Sequence, residues 1–363
     1  MKLARKHINK LRSYRPGKPI DEVKRELGIE NIIKLASNEN PIGPSPLALK
    51  AILKVLPELN RYPDSYSFYL RQKLAKKYKL SMDNVIVGNG SDELIEMITK
   101  AFLEPKDEVV VTKYSFIEYS ILSEACGVKI NEVAIKDFKY NVKDILNAIT
   151  PRTKIVFLGN PDNPTGAYLN KKMLDELLKK CPDDILLVID EAYRELVDVK
   201  DYSNSIKYIG KKNVIILRTF SKAYGLAGLR IGYAFSGADI ISTLEKVRLP
   251  FNVNLLAQKA AEAALDDIEY VRKSAKLVSE GKKFLSKKLK DLGFDTIVSP
   301  ANFILVRCKE QYGKEIFGEL LKYGVIVRDM ESYGLRDYFR VNVGTTQENR
   351  RFIEALEKVI KGM

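Results

Sequence analysis

Between about residues 84 and 235, short apolar stretches rich in β-branched side chains alternate with longer segments in which apolar residues recur at helical spacing. The short stretches have the length of strands, and the longer ones have the period of amphipathic helices. One helix is predicted over Leu94 to Phe102, with Ser91 as its N-cap. The alternation predicts an α/β unit in which helices cover a mainly parallel sheet. Its predicted strands are Val85–Val87, Glu108–Thr112, Lys154–Leu158, Ile185–Ile189, Val214–Thr219 and Leu229–Phe235.

The pattern changes after about residue 266, where a long lysine-rich helical stretch precedes short apolar runs. A last helix is predicted to begin near Thr345, because Thr345 and Glu348 have the spacing of a capping box. These elements predict a smaller α+β domain with strands at Phe303–Val306, Val325–Val327 and Phe339–Val343. We therefore expect an N-terminal arm over residues 1–36, a large domain over 37–265 and a small domain over 266–363. The cleft between the two domains is the expected ligand site.

The composition indicates a folded protein with a strongly charged surface. Of the 363 residues, 45% are hydrophobic and 30% are charged, which excludes wholesale disorder. No apolar run approaches the roughly 18 residues that span a bilayer, so we expect a soluble protein without membrane association. The net charge of +14 is spread along the chain without a nucleic-acid-binding motif, so we expect attraction of small anions rather than nucleic acid.

The cysteines and the one histidine exclude several kinds of chemistry. Cys126, Cys181 and Cys308 are odd in number and far apart, which argues against a disulfide framework or a thiolate metal site. His7 is the only histidine and lies in a basic stretch near the start, so Cys/His and Ser/His catalysis and histidine metal sites are not expected. That stretch lacks the apolar core of a secretory signal and is interpreted as an ordered arm, and a reducing cytoplasm is the expected location.

Residues suited to chemistry follow the predicted strands at the points where the strands end. In an open parallel sheet, ligands bind beyond the carboxyl ends of the strands. A glycine-rich turn follows the first predicted strand, Phe116 follows the second, and an asparagine–proline loop containing Asn163 follows the third. Asp190 ends the fourth strand, and Lys222 lies just beyond the fifth. We expect these five loops to converge on one edge of the sheet.

The glycine-rich turn Gly88-Asn89-Gly90-Ser91 precedes a helix and is suited to binding an anion through backbone N–H groups. It does not fit a dinucleotide-binding fingerprint, because Glu93 occupies the third glycine position. The carboxylates of Asp92 and Glu93 are expected to face away from the anion. The expected anion cup consists of Gly90, Ser91, the Asp92 backbone, Thr219, Ser221 and Arg230.

Each of the remaining candidates has a structural interpretation beside a functional one. Asp190 follows Ile-Leu-Leu-Val-Ile, so its carboxylate is expected to be desolvated and to need a cationic or donor partner, unless it is purely structural. A nucleotide hydrolase is excluded, because no glycine-rich loop ends in Gly-Lys-Ser/Thr. Lys222 is either a surface lysine or an imine-forming amine beside a phosphate site. Asn163 is either a turn residue or a rigidly held donor, and Phe116 either packs in the core or stacks on a cofactor ring.

Together these residues resemble the pyridoxal-phosphate-dependent aminotransferases of fold type I, and within them the histidinol-phosphate aminotransferase family. The resemblance covers nearly the whole chain. It rests on Ser-Tyr14-Arg-Pro-Gly-Lys-Pro, Leu-Ala-Ser-Asn38-Glu-Asn40-Pro, Arg-Tyr62-Pro-Asp, Gly-Asn-Gly-Ser-Asp-Glu, Asn-Pro-Asp-Asn163-Pro-Thr-Gly, Ile-Asp190-Glu-Ala-Tyr193, Phe-Ser-Lys222 and Phe-Arg340-Val-Asn-Val-Gly-Thr.

The resemblance implies a role for each matching residue and makes the large domain the cofactor-binding one. Lys222 is implied as the Schiff-base lysine, Asp190 as the partner of the pyridine nitrogen, and Phe116 as the residue stacked on the ring. Asn163 and Tyr193 are implied to hydrogen-bond the ring's phenolate oxygen. Tyr62 is implied to reach the cofactor phosphate of the other subunit in a homodimer. The implied substrate-binding residues are Tyr14, Asn40, Arg328 and Arg340.

The implied reaction interconverts histidinol phosphate and 2-oxoglutarate with imidazole-acetol phosphate and glutamate, a step of histidine biosynthesis. The chain departs from the usual family pattern at Ser13, Ile42, Tyr114-Ser115 and Asn342, which bears on the substrate. Relatives that act on aromatic amino acids, or that decarboxylate threonine phosphate, share the scaffold. The alternatives of another class are a nicotinamide-dependent oxidoreductase and a non-catalytic anion-binding protein.

Overall fold

A computed structural model describes residues 3–11, 13, 16–308 and 313–362. The α-helices are α1 (Ile20–Leu27), α2 (Pro46–Val55), α3 (Phe68–Tyr78), α4 (Gly90–Phe102), α5 (Ile117–Ala125), α6 (Val142–Asn147), α7 (Lys171–Lys180), α8 (Ala238–Glu245), α9 (Leu255–Ala264), α10 (Ile268–Asp291), α11 (Gly313–Lys322) and α12 (Thr346–Gly362). Short 3-10 helices include Ala227–Leu229 and Glu331–Tyr333. The strands are β1 (Ile33–Lys34), β2 (Val85–Gly88), β3 (Glu108–Thr112), β4 (Lys129–Val133), β5 (Thr153–Gly159), β6 (Leu186–Asp190), β7 (Val214–Thr219), β8 (Gly232–Phe235), β9 (Asp295–Val298), β10 (Phe303–Arg307), β11 (Val325–Ile326), β12 (Arg328–Asp329) and β13 (Tyr338–Asn342).

A seven-stranded sheet in the order β2-β8-β7-β6-β5-β3-β4 forms the centre of the large domain. All neighbouring strands are parallel except β8, which runs antiparallel to both β7 and β2. Successive residues of each strand belong to two different apolar clusters, as Val156 and Phe157 of β5 do. Because successive side chains point to opposite faces, the sheet is buried on both sides under helices. The predicted α/β class with a mainly parallel sheet is confirmed.

The smaller part of the chain contains the antiparallel sheet β12-β13-β10-β9, packed against α10, α11 and α12. Its core includes Ile304, Phe339 and Leu356. The N-terminal strand β1 pairs in parallel with β11, and Val23 of α1 packs against Ile326. This part of the N-terminal segment therefore contributes to the core of the smaller domain, and the boundaries at residues 36 and 265 remain predictions.

Several predicted elements are wrong in detail. Helix α4 begins at Gly90, so Ser91 lies in its first turn and is not the N-cap. The strand predicted from Leu229 begins at Gly232, because a 3-10 turn occupies Ala227–Leu229. The strand predicted at Val325–Val327 ends at Ile326 as β11, and Arg328–Asp329 forms a separate strand, β12, that pairs with a different partner. Strands β1, β4 and β9 were not predicted, because they are short or carry many polar residues.

The predicted capping box of the last helix is confirmed. The Thr345 hydroxyl accepts from the Glu348 N–H at 3.2 Å, and the Glu348 carboxylate accepts from the Thr345 N–H at 2.7 Å. Among the helices of the described residues, none combines the length and the apolar character needed to cross a bilayer.

Candidate active site

The carboxyl ends of β2, β5, β6 and β7 meet beside a cavity of about 330 Å³ that also borders β12 and β13 of the smaller sheet. Parallel strands bring their carboxyl ends to one edge, which explains why residues far apart in the chain meet there. The predicted site residues that line the cavity are Ser91, Asp92, Phe116, Asn163, Asp190, Tyr193, Thr219, Ser221, Lys222, Arg230, Arg328 and Arg340.

Lys222 lies in the loop after β7 with its ammonium group facing this cavity. Its Nζ donates a hydrogen bond to the Ser37 carbonyl oxygen at 3.2 Å and lies 5.7 Å from the centre of the Tyr193 ring. Burial, helped by the nearby Arg340 guanidinium, lowers the pKa of Lys222 to about 8. An amine with this pKa is unprotonated in an appreciable fraction of molecules at neutral pH, so Lys222 is suited to act as a nucleophile or a base.

Asp190 ends β6 and is almost completely buried. Its carboxylate accepts hydrogen bonds from the Tyr119 hydroxyl at 2.8 Å and from the Ala192 N–H at 3.0 Å. Burial raises the pKa of Asp190 to about 6, despite these two donors. No lysine or arginine among the described residues forms an ion pair with it. The site therefore fits a ligand that brings its own cationic N–H group to this carboxylate.

A second buried carboxyl group, Asp162, lies within the asparagine–proline loop. It accepts hydrogen bonds from the hydroxyl groups of Ser115 at 2.9 Å and Thr165 at 3.0 Å. Burial raises the pKa of Asp162 to about 7. These bonds join the loop to the end of β3, so they hold the neighbouring Asn163 in place.

Asn163 and Arg340 contact each other across the cavity. Arg340 lies on β13 and donates hydrogen bonds to the amide oxygen of Asn163 and to the carbonyl oxygen of Ala36. Because the amide oxygen of Asn163 is engaged by Arg340, its NH₂ group is the end available to a bound ligand.

Arg328 and Arg340 are direct cross-strand partners on β12 and β13. Both side chains line the cavity, and Gly17 and Tyr333 lie on the same side. Directly opposed residues of antiparallel strands have Cβ atoms about 5 Å apart, so two guanidinium groups there repel each other unless an anion lies between them. Each guanidinium can bind a phosphate or carboxylate in a bidentate manner. The pair is therefore suited to recognise the anionic end of a substrate.

The predicted anion cup is assembled at the start of α4. Gly90 has φ +84°, and a Cβ atom there would lie 2.6 Å from an Arg230 nitrogen, so only glycine allows this approach. The Thr219 hydroxyl donates to the Ser221 hydroxyl at 3.0 Å. The Asp92 carboxylate, which was expected to face away from the anion, accepts a hydrogen bond at 3.0 Å from Arg230, another residue of the predicted cup.

Glu93 behaves as expected, since its carboxylate turns toward the Asn89 N–H and the Asn252 amide. The guanidinium of Arg230 neutralises the Asp92 carboxylate, which leaves the helix N-terminus available to an anion.

Three of the predicted residues that the structure describes, Gly90, Asn40 and Tyr62, are not among those that line the cavity. Asn40 uses its amide NH₂ on the carbonyl oxygens of Lys222 and Ala223 and on the Ser274 hydroxyl, so it supports the Lys222 loop from behind. Tyr62 is 82% exposed and stacks on Phe251 with ring centres 4.6 Å apart. Tyr14 lies outside the described residues.

Among the cavity residues that received no role from the sequence, three take part in hydrogen bonds with predicted site residues. Tyr119 donates to Asp190, and its position one helical turn after Phe116 was the signal that could have revealed it. Ser37 binds the Lys222 ammonium through its backbone, which carries no side-chain signal. Asn38 donates to the Tyr193 hydroxyl, and it has a φ of +55°, which asparagine adopts more readily than most residues.

Comparisons with known proteins agree on one family. The family of class I and II aminotransferases matches this chain over residues 30–356. A histidinol-phosphate aminotransferase of Moorella thermoacetica is 45% identical over 358 residues, which are 98% of this chain and 92% of that protein. Histidinol-phosphate aminotransferase 2 of Carboxydothermus hydrogenoformans is 44% identical over 361 residues, 99% of each chain.

The comparison of structures gives the same result. The crystal structure of histidinol-phosphate aminotransferase from Sinorhizobium meliloti, in complex with pyridoxal 5′-phosphate, superposes with a TM-score of 0.92 at 27% identity, covering 100% of this chain and 98% of that one. With the strand-end lysine, the buried aspartate and the arginine pair in one cavity, the chain belongs to the class I and II aminotransferases, and within them to the histidinol-phosphate aminotransferase family.

Proposed function

We propose that this protein uses pyridoxal 5′-phosphate to transfer an amino group from L-histidinol phosphate to 2-oxoglutarate, forming imidazole-acetol phosphate and glutamate in histidine biosynthesis. The observation that carries the proposal is one cavity in which Lys222 and Asp190 lie beside the paired arginines 328 and 340. The names of the relatives that share more than two fifths of its sequence support the same reaction.

The residues of the cavity fit this cofactor. No lysine or arginine among the described residues pairs with Asp190, which therefore suits a protonated pyridine nitrogen, while the start of α4 with Ser221 and Arg230 suits the phosphate. Phe116 lines the cavity on the side of Tyr119 and offers a flat ring to pack against. Asn163 and Tyr193 line the same cavity with an amide and a phenol, which would hold an oxygen of the cofactor ring. When bound, pyridoxal phosphate supplies an electron sink for charge that develops at the substrate's Cα.

Lys222 carries the proton transfer in this proposal. Its lowered pKa of about 8 lets it take a proton from the substrate Cα and return it within the same cavity near neutral pH. The Ser37 carbonyl and the Tyr193 ring hold the amine in place meanwhile. Asp190 keeps the ring nitrogen protonated, because a buried carboxylate strongly favours a cation beside it.

Arg328 and Arg340 are the proposed substrate anchors. Histidinol phosphate carries a phosphate and 2-oxoglutarate a distal carboxylate, and one guanidinium pair can bind each in turn. The net charge of +14 adds long-range attraction for both anions.

Steady-state kinetics with four amino donors tests the substrate. Histidinol phosphate, phenylalanine and tyrosine are each paired with 2-oxoglutarate, and threonine phosphate is assayed for released carbon dioxide. We expect the highest kcat/KM for histidinol phosphate, and we expect that value to fall as salt screens the arginines. A higher kcat/KM for phenylalanine or tyrosine would identify an aromatic aminotransferase, and release of carbon dioxide would identify a decarboxylase.

An absorption spectrum tests the cofactor. If the purified protein lacks a visible absorption band near 420 nm after incubation with cofactor, a wavelength that the family resemblance implies, the cofactor assignment is wrong.

We also propose that the protein is a homodimer whose active site includes Tyr62 of the partner subunit. A face formed by α2, α3 and the loop at residues 249–251 exposes several large apolar side chains, which single soluble subunits rarely leave uncovered. These are Leu47, Leu49, Leu53, Leu56, Leu59, Tyr62, Tyr66, Phe68, Tyr69, Leu249 and Phe251. A second copy of this chain is the occupant that the resemblance implies.

Light scattering tests the dimer and a substitution tests the shared site. We expect twice the mass of one chain, and Leu53→Glu, with Leu53 68% exposed, should shift the protein toward monomer. Tyr62→Phe should keep the dimer but weaken cofactor retention about tenfold, as expected for one lost hydrogen bond to a charged group. A monomer with full specific activity at nanomolar concentration would contradict the proposal.

We also propose a reducing cytoplasm as the location of the protein, because its three cysteines are unpaired.

A further inference from the structure

Asn38 has an unusual backbone conformation for a residue at the edge of the cavity. It is 1% exposed, and its φ of +55° lies in the left-handed region that few residues other than glycine adopt. Its N–H donates to the Asn342 side-chain oxygen at 3.2 Å, and its carbonyl accepts from the Asn302 amide at 3.0 Å. Two asparagines of the smaller domain therefore hold this backbone on both sides.

The side chain of Asn38 points at the phenol of Tyr193. Its amide nitrogen donates to the Tyr193 hydroxyl oxygen at 2.9 Å, and both residues line the cavity. A phenol carries one hydrogen, and an oxygen that accepts from Asn38 must direct that hydrogen elsewhere. Among the described residues, none accepts a hydrogen bond from the Tyr193 hydroxyl. The hydrogen is thus available to a ligand in the cavity.

The amide oxygen of Asn38 adds a second unusual feature. It is buried, and no donor among the described residues reaches it. Buried amide oxygens are nearly always hydrogen-bonded, and a left-handed backbone costs asparagine more free energy than glycine, although less than most residues, so the fold bears two local costs at Asn38. A residue with only a packing role would not require either. Both costs are explained if the direction of the amide NH₂ group is what matters.

We propose that Asn38 is a positioning residue, which orients the Tyr193 hydroxyl so that its hydrogen points into the cavity. The inference rests on the proposed function, in which this hydroxyl donates to a ring oxygen of the cofactor. Burial raises the pKa of Tyr193 to about 12, so the phenol keeps its hydrogen throughout the neutral range. Asn342 acts indirectly: its side-chain oxygen accepts from the Asn38 N–H and so fixes the backbone that carries the Asn38 amide.

A spectroscopic measurement on the cofactor-free protein tests the contact itself. Asn38→Gly removes the amide while glycine still adopts the left-handed backbone. The protein is labelled with ¹³Cζ-tyrosine and studied by NMR, and the Tyr193 resonance is the one that disappears in Tyr193→Phe. We expect the chemical shift of this resonance to change in Asn38→Gly. Asn349→Ala is the matched control, because Asn349 is an equally buried asparagine that bonds only to the backbone of Gly344. It should lower the melting temperature and leave the Tyr193 resonance unchanged.

A double-mutant cycle tests whether Asn38 acts through Tyr193. We expect Asn38→Gly to lower kcat/KM about tenfold in the wild-type background, and less than about twofold when Tyr193 is already phenylalanine. An equal loss in both backgrounds, or an unmoved Tyr193 resonance, would overturn the proposal. A moved resonance in a protein that transaminates none of the four donors would instead reject the proposed function and keep the contact. Asn38→Ser is measured in the same way if the glycine variant does not fold.

Discussion

Replacing Lys222 with alanine should abolish turnover while the protein still binds cofactor loosely. The substitution removes the only lysine among the described residues that line the cavity, and with it both the covalent attachment and the proton carrier. General acid–base catalysis alone contributes about 10²- to 10⁴-fold, so we expect kcat to fall at least about 10³-fold. Borohydride reduction of the cofactor-loaded wild-type protein, followed by peptide mass mapping, should place the pyridoxyl group on Lys222.

Lys282 provides a matched control for this experiment. It is also buried, and its ammonium group donates to Asp198 and to the Ser299 carbonyl, both at 2.9 Å, away from the cavity. Lys282→Ala should lower the melting temperature but keep the pyridoxyl group on Lys222. A pyridoxyl group mapped to another lysine, or to none in loaded protein, would show that the assignment of Lys222 is wrong.

Substituting Asp190 should have opposite effects on stability and on activity. Without cofactor, the folded-state pKa of about 6 lies above the ordinary value of 3.8, so the folded protein binds this proton more tightly than the unfolded chain does. The associated stability is present below pH 3.8 and is lost as the pH rises to about 6. The pKa difference corresponds to about 3 kcal/mol at neutral pH. Asp190→Asn should therefore stabilise the cofactor-free protein at pH 7 by up to this amount.

Chemical denaturation of cofactor-free protein at several pH values measures this effect. The difference between wild type and Asp190→Asn should grow between pH 4 and 6 and then stay constant. Glu354→Gln, on the exposed face of α12, should show no such change. If the wild type is as stable as Asp190→Asn at pH 7, the prediction is wrong, and the protein itself offsets the cost of burying the ionised Asp190 carboxylate.

The loss of activity should depend on whether a carboxylate remains. Removing one partner of a buried ion pair costs about 3–5 kcal/mol, so Asp190→Ala should lower kcat/KM by about 10²- to 10⁴-fold and weaken cofactor retention. Asp190→Glu keeps the charge and should lose much less. Near-normal turnover of Asp190→Ala would make Asp190 a structural residue only.

The sequence indicated which loops hold the candidate site residues because that information is local. The run Ile-Leu-Leu-Val-Ile before Asp190 predicted a buried strand, and strand β6 ends at that aspartate. Lys222 follows β7 in the same way. Both residues line one cavity because parallel strands share an edge, so strand type and chain order were sufficient.

The sequence pattern did not predict that strand β8 runs antiparallel to its neighbours. Its apolar residues predicted a strand, but only the path of the connecting residues 220–231 made it antiparallel to its neighbours. The local sequence pattern also did not predict the direction of the Asp92 carboxylate, which was expected to face away from the anion. Its pairing with Arg230 depends on a residue 138 positions away. Such a choice is governed by tertiary contact and not by local spacing.

The amino-acid sequence by itself determined the class of fold, and it indicated the edge of the sheet at which the candidate residues Lys222 and Asp190 meet. These follow from hydrophobic period and from residues at strand ends, which are properties of neighbouring positions. Only the tertiary structure decided that Arg328 opposes Arg340, that Tyr119 donates to Asp190 and that Asn38 donates to Tyr193. Each of these contacts depends on strand register or on side-chain direction between distant segments, and hydrogen bonds tolerate errors of only a few tenths of an ångström.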